Sequence, residues 1–208
     1  MKTASTYLIL VFFLTSCYVD DESSFIKEPF DPRMPQYSEE GANTAGAYVD
    51  GQPWVSRKRI ISSIFSSSPY TKGTMNFYGL EDSSGTFVAF EGGDLLLDQS
   101  TVSCSVGIVL GEFYLSNPDD LDQLDNKRVE LDGTINYGQM ILQNDFSQLV
   151  EENAGTGVLH IRNVVKTAEG EWNISGTFGF SINGENQEST VFSGRFDYEV
   201  SDEQFHEF

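Results

Sequence analysis

Hydrophobic and polar residues alternate over much of the chain from residue 41 onward, in runs rich in Val, Ile, Phe, Tyr and Thr. Successive side chains of a strand point to opposite faces, so this alternation predicts half-buried β-strands rather than helices. Strands are expected at 74–80, 86–91, 102–110, 112–115, 127–131, 134–142, 158–165, 172–182 and 190–200. Turn residues separate them at intervals of roughly eight to fifteen residues, the pattern of an all-β domain, either an antiparallel β-sandwich or a partly open β-barrel. An earlier hairpin is marked by Tyr48-Val49-Asp50-Gly51-Gln52-Pro53-Trp54, because Asp-Gly suits a type I′ turn with positive φ at both central residues. Pro53 has no N–H for a ladder, which confines the second arm of this hairpin to an edge or to pairing on one side.

Small residues set the register of the last three strands. Opposing Phe178 to Gly194 also opposes Gly176 to Phe196, so each ring lies over a missing side chain. The same register sets Phe180 beside Phe192, Ile174 beside Tyr198, Leu159 beside Phe178 and Val165 beside Trp172. One face is then nearly all apolar. The other collects His160, Arg162, Asn173, Ser175, Thr177, Arg195, Asp197 and Glu199, and is expected to be solvated.

Helix is expected to be minor. Asn117-Pro118-Asp119-Asp120, followed by Leu121 and Leu124, predicts one short helix with proline at its first position and acids at its positive end. A second helical turn is expected around Ser147 to Glu152. The serine-rich stretch 62–68 reads as a loop or a weak edge strand, and Arg57-Lys58-Arg59 as a solvated turn.

The start of the chain has the order of a secretory signal: Lys2, then the apolar run Tyr7-Leu8-Ile9-Leu10-Val11-Phe12-Phe13-Leu14. That run is shorter than the ~20 apolar residues a transmembrane helix needs. Leu14-Thr15-Ser16-Cys17 resembles the lipobox of bacterial lipoproteins, which implies that residues 1–16 are a signal peptide and that Cys17 is the lipidation site. Each acyl methylene buried in a membrane contributes about 0.8 kcal/mol, and more than one chain makes anchoring stable. Tyr18-Val19-Asp20-Asp21-Glu22 resembles the acidic export signal of Bacteroidetes lipoproteins displayed on the outer face of the outer membrane. A solvated linker accounts for it equally well, and would leave the domain on the periplasmic face. Residues 17–40, with Pro29, Pro32 and Pro35, are expected to be a lipidated acidic tether, residues 41–200 the domain, and residues 201–208 a fraying tail.

The 32 acids against 12 cations give a formal net charge of -20, which argues against nucleic acid as a partner and leaves acylated Cys17 as the membrane attachment. With Cys17 acylated, Cys104 has no partner within the chain. Its neighbours Val102 and Val106 place it on an apolar strand face as a small core residue. His160 is expected on the polar face between Thr177 and Arg195, with no carboxylate to orient it, and His206 falls in the tail. Neither resembles a catalytic base. Zinc would require more His and Cys ligands than the domain has. Asp119, Asp120, Asp122 and Asp125 lie close together without the spacing or glycine of a calcium loop. The glycines form no phosphate-binding motif. No catalytic, metal or cofactor residues are therefore assigned, and no cofactor is expected.

Gly41-Ala42-Asn43-Thr44-Ala45-Gly46-Ala47-Tyr48-Val49-Asp50-Gly51-Gln52-Pro53-Trp54 resembles the opening motif of a family of Bacteroidetes lipoproteins. Ser175-Gly176-Thr177-Phe178-Gly179-Phe180 and Ser193-Gly194-Arg195-Phe196-Asp197 are similar to its terminal hairpin. Ala45 and Asp50 depart from the family's usual Phe and Asn. The resemblance implies a β-rich cell-envelope lipoprotein and brings no activity with it. The expected function is a non-enzymatic binding or accessory module at the outer-membrane surface, with a glycan, a lipid or an envelope protein as partner. A carboxylate-based, glycan-active hydrolase and a calcium-stabilised structural module are the alternatives.

Overall fold

A computed structural model describes residues 29–31, 33–59, 70–81, 84–97, 100–143, 149–150, 154–184 and 188–207. Residues 1–16, expected to be a signal peptide, Cys17 and the serine-rich stretch 62–68 lie outside the described residues. In chain order the strands are β1 Thr44–Val49, β2 Gln52–Val55, β3 Arg57–Arg59, β4 Tyr70–Lys72, β5 Met75–Gly79, β6 Thr86–Leu97, β7 Ser100–Leu110, β8 Arg128–Asp132, β9 Asn136–Gln143, β10 Leu149–Val150, β11 Gly155–Lys166, β12 Trp172–Asn183, β13 Glu188–Val200 and β14 Phe205–His206. The fold is all-β, a strongly curled mixed sheet that forms a half-barrel. Its order is β14-β5-β6-β7-β9-β11-β12-β13-β1-β2, with β8 also on β11, β10 also on β9, and β3–β4 a separate ribbon.

Local chemistry explains several of these elements. Asp50 and Gly51 both hold positive φ, at 49° and 79°, and so turn β1 into β2 as the Asp-Gly pair requires. Pro53 lies on β2, at the end of the sheet path. The short helix is a 3₁₀ segment, Pro118–Leu124, capped by Asn117 and Asp120 in a reciprocal capping box, with Leu121 and Leu124 buried. Three expectations are corrected here. Residues 112–115 form no strand, because Phe113 N bonds back to Leu110 O and Leu115 N reaches Thr86 Oγ1. Leu149 and Val150 pair with Gln143 and Leu142 instead of making a helical turn. Arg57-Lys58-Arg59 is strand, paired with Tyr70–Lys72.

The core lies inside the curl. Phe90 of β6 stacks on Phe178 of β12 at 5.2 Å between centroids, and packs against Phe196 at 5.2 Å and Tyr198 at 6.1 Å. Trp54, wholly buried, donates its indole N–H to Cys104 O at 2.8 Å, so the edge strand β2 leans across the interior onto β7. Phe178 faces Gly194, Gly176 faces Phe196, Ile174 faces Tyr198 and Leu159 faces Phe178, in the expected register.

Two bulges modify that register. On β13, three steps from Val191 to Gly194 match two steps on β12, so Phe180 faces Val191 rather than Phe192. On β11 an extra residue at Arg162 sets Lys166, not Val165, opposite Trp172. Each bulge inserts one residue and bends its strand.

Both ends of the described chain lie on the sheet. Met34 and Pro35 are buried, and Pro35 covers Gly46, whose Cβ would meet its ring. Ser38 Oγ and the backbone N–H groups of Glu40, Gly41 and Ala42 all donate to the carboxylate of Asp197. Residues 33–42 are thus a strap rather than free spacer, and Asp197 and Ser175, expected on a solvated face, are each only 1% exposed beneath it. The tail does not fray: β14 pairs in parallel with β5, and Phe205 stacks on Phe77 at 4.6 Å.

A Cβ at Gly194 would lie 2.6 Å from the Phe178 ring and 2.6 Å from its carbonyl oxygen, so both ring and ladder must yield. Gly194→Val is expected to lower stability by roughly 1 to 3 kcal/mol in chemical denaturation. A loss below ~0.5 kcal/mol would mean that the ring swings away freely.

Candidate functional site

Four side chains stand in one row across the outer face. Arg128 on β8 is paired with His160 on β11, His160 with Thr177 on β12, and Thr177 with Arg195 on β13. Directly opposed residues share a face, and strands lie about 4.8 Å apart, so the row runs roughly 14 Å from end to end. A groove of about 580 Å³ follows it, lined also by Tyr37 and Ser193, with the backbone of Gly157, Gly179 and Gly194 forming part of its floor.

The strap and the β13 bulge contribute Tyr37 and Ser193 to the groove. Tyr37 stands on the strap, its hydroxyl donating to Glu39 at 2.8 Å and lying 3.4 Å from Ser175 Oγ. Desolvation is the largest influence on that phenol and pushes its pKa up. The bulged residue of β11, Arg162, is carried out over the Tyr37 ring, its guanidinium carbon 5.8 Å from the centroid. On β13 the bulge falls at Phe192 and Ser193. Ser193 holds φ at 53°, and Phe192 is turned outward to 45% exposure. A non-glycine residue in the left-handed region costs of order 1 kcal/mol, which the surrounding ladder sustains.

The expected neighbours of His160, Thr177 and Arg195, are in place. Arg128 was not anticipated there, because β8 reaches β11 past β9 and β10, a non-local pairing without a local signature. Tyr37 was missed because its segment reads as spacer. Among the described residues that line this groove there is no carboxylate to orient His160. His160→Ala is expected to stay within about 0.5 kcal/mol of the parent in thermal melts. A loss of several kcal/mol would place the histidine in a structural network instead.

Comparison with family models, with curated proteins and with solved structures finds no match.

The other sequence candidates resolve into structural roles. Asp119 receives the Lys166 ammonium and the Trp172 indole N–H, and the lysine holds its carboxyl below the usual range. Asp120 caps the 3₁₀ segment, and Asp125 accepts from Val164 N at 2.9 Å. Cys104 is fully buried, and desolvation pushes its thiol up to about 12, far from a reactive thiolate. Trp54 belongs to the core. His206 stacks on Tyr78 at 4.9 Å. A second cleft of about 300 Å³ opens near Tyr198 and is lined in part by Glu171 and Glu199. Among the described residues, no helix is long and apolar enough to cross a membrane.

Proposed function

We propose that the chain is a cell-envelope lipoprotein, anchored at the outer membrane through acylated Cys17, whose β-domain is a non-enzymatic binding module with the outer-face groove as its ligand site. The lipobox and the apolar run before it support the anchor. The resemblance of residues 41–54, 175–180 and 193–197 to Bacteroidetes lipoproteins supports the envelope setting.

The observation that carries the binding reading is the groove. It combines hydroxyl, imidazole and guanidinium groups with an aromatic wall on a rigid sheet, and such convergence of a few polar groups on a concave surface is how ligand sites are built. Among the described residues, the hydrolase alternative has Glu171 and Glu199, which line the cleft near Tyr198. A general acid works from a desolvated position, and Glu199 is exposed on its strand.

Filling the groove separates the binding reading from its rivals. Thr177→Trp keeps a residue suited to strands at the middle of the row while occupying the space above it. The full chain in detergent, screened on glycan and lipid arrays, is expected to lose its bound species on this substitution while melting within a few degrees of the parent. Ligands retained by the variant would move the site elsewhere. For the anchor, radiolabelled palmitate should enter the wild type and not Cys17→Ala; equal labelling of both would overturn it.

A further inference from the structure

We infer that the groove takes a neutral glycan, one sugar ring of which seats on the bare backbone at Gly179 against the Phe192 ring; this rests on the groove being the binding site. Gly179 of β12 lies between Val158 of β11, its paired residue, and the Phe192–Ser193 bulge of β13. These positions form the next row on the face that carries Arg128, His160, Thr177 and Arg195. A Cβ at Gly179 would have only backbone within 4 Å, Val191 O at 3.3 Å and Phe192 Cα at 3.8 Å. No side chain fills the position. The gap between Val158 and Phe192 therefore spans two strand spacings, roughly 10 Å.

Phe192 walls this seat. It is 45% exposed, and Tyr48 of β1 stacks on it at 5.2 Å with the planes 18° apart. Strands β1 and β12 flank β13 on opposite sides, so the ring face turned away from Tyr48 looks over Gly179. An aromatic face is electron-rich and attracts C–H groups, which a sugar ring presents on its own faces. Around its rim a sugar carries hydroxyls, and the hydroxyls of Thr177 and Ser193 and the imidazole of His160 line the groove beside the seat.

Charge does not select the ligand. Arg195 already has a partner, and Asp31, whose carboxyl is held below the usual range chiefly by its hydrogen bond to Arg33, also feels Arg195. Arg162 lies over the Tyr37 ring, and Glu39 accepts the Tyr37 hydroxyl, so cations and acids are interleaved around the site. At longer range the net charge of -20 repels anions. Other neutral occupants fit less well. A lipid tail needs apolar walls, whereas hydroxyl, imidazole and guanidinium groups line this groove. An extended peptide adds to a sheet edge, and β11, β12 and β13 are each paired on both sides here.

Calorimetric titration of the full chain in a polyoxyethylene detergent, which carries no sugar headgroup, tests this. The probes are neutral hexasaccharides of glucose, galactose, mannose and xylose, with oligogalacturonate as the acidic counterpart. At least one neutral hexasaccharide is expected to bind, with an affinity that changes less than about twofold as salt is raised. Phe192→Ala should weaken it about tenfold, and Phe192→Tyr should keep it near the parent's. Gly179→Val fills the seat with a residue suited to strands and should abolish binding while the chain melts within a few degrees of the parent. Phe192 is exposed, so its truncation tests the wall even where Gly179→Val disturbs the fold. Neutral binding that is lost on Thr177→Trp but indifferent to Phe192→Ala would keep the groove and overturn the seat. Neutral binding that survives Thr177→Trp overturns the groove reading along with it. Tighter, salt-sensitive binding of oligogalacturonate would reverse the charge argument, and a folded chain that binds none of the neutral hexasaccharides rejects the inference outright.

Discussion

Asp197→Ala is expected to lower stability by about 3 kcal/mol and to free the strap. The carboxylate is buried and accepts from Ser38 Oγ and from the backbone N–H groups of Glu40, Gly41 and Ala42. Hydrogen bonds to a charged group contribute roughly 1.5 to 3 kcal/mol each, and donors left buried without partners cost a further ~1 to 3 kcal/mol. The loss stays below the simple sum because the strap can lift and give its N–H groups to water. Chemical denaturation reads the first effect and limited proteolysis near residue 36 the second. Asp197→Asn keeps one carbonyl oxygen and should lose less. A change under 1 kcal/mol with the strap still protected would show that Met34 and Pro35 hold it alone.

Phe90→Ala should lower stability by about 3 to 5 kcal/mol, the range for a buried phenylalanine truncated in a packed core. Its ring is fully buried and joins β6 to β12 and β13 through Phe178, Phe196 and Tyr198. Those contacts cross the interior of the curl, so the loss reports on closure as well as on transfer. Phe90→Leu retains most of the volume and is expected to lose about 1.5 kcal/mol. A cycle with Phe178→Leu should show coupling above ~0.5 kcal/mol. Additive losses would mean that the two wings pack independently.

The β-rich class, most strands and the 178–194 register were legible because a glycine opposite a phenylalanine is a constraint that neighbouring residues alone can express. The bulges were not. A single extra residue at Arg162 or at Phe192–Ser193 leaves the alternation on either side intact, so Phe180 and Trp172 are shifted without any local sign. The strap was hidden for a related reason. Its prolines and acids read as spacer, and only the fold reveals that Asp197 waits beneath them. Half of the groove was therefore visible in advance: His160, Thr177 and Arg195 share strands whose order the sequence discloses. Arg128 and Tyr37 come from segments whose partners lie far along the chain.

The strap also decides how a pull on the protein is transmitted. Force arriving through the residues before Arg33 meets buried Met34 and Pro35, the Tyr37 contacts and the Asp197 carboxylate before it meets any long backbone ladder. Those contacts detach one after another rather than sharing the load. The strap is thus a mechanical fuse, giving way first and lengthening the connection while the ladders beneath the groove carry no strain. A chain moored at its amino end would lengthen by these ten residues before its ladders are loaded, and Tyr37 would leave the groove with them.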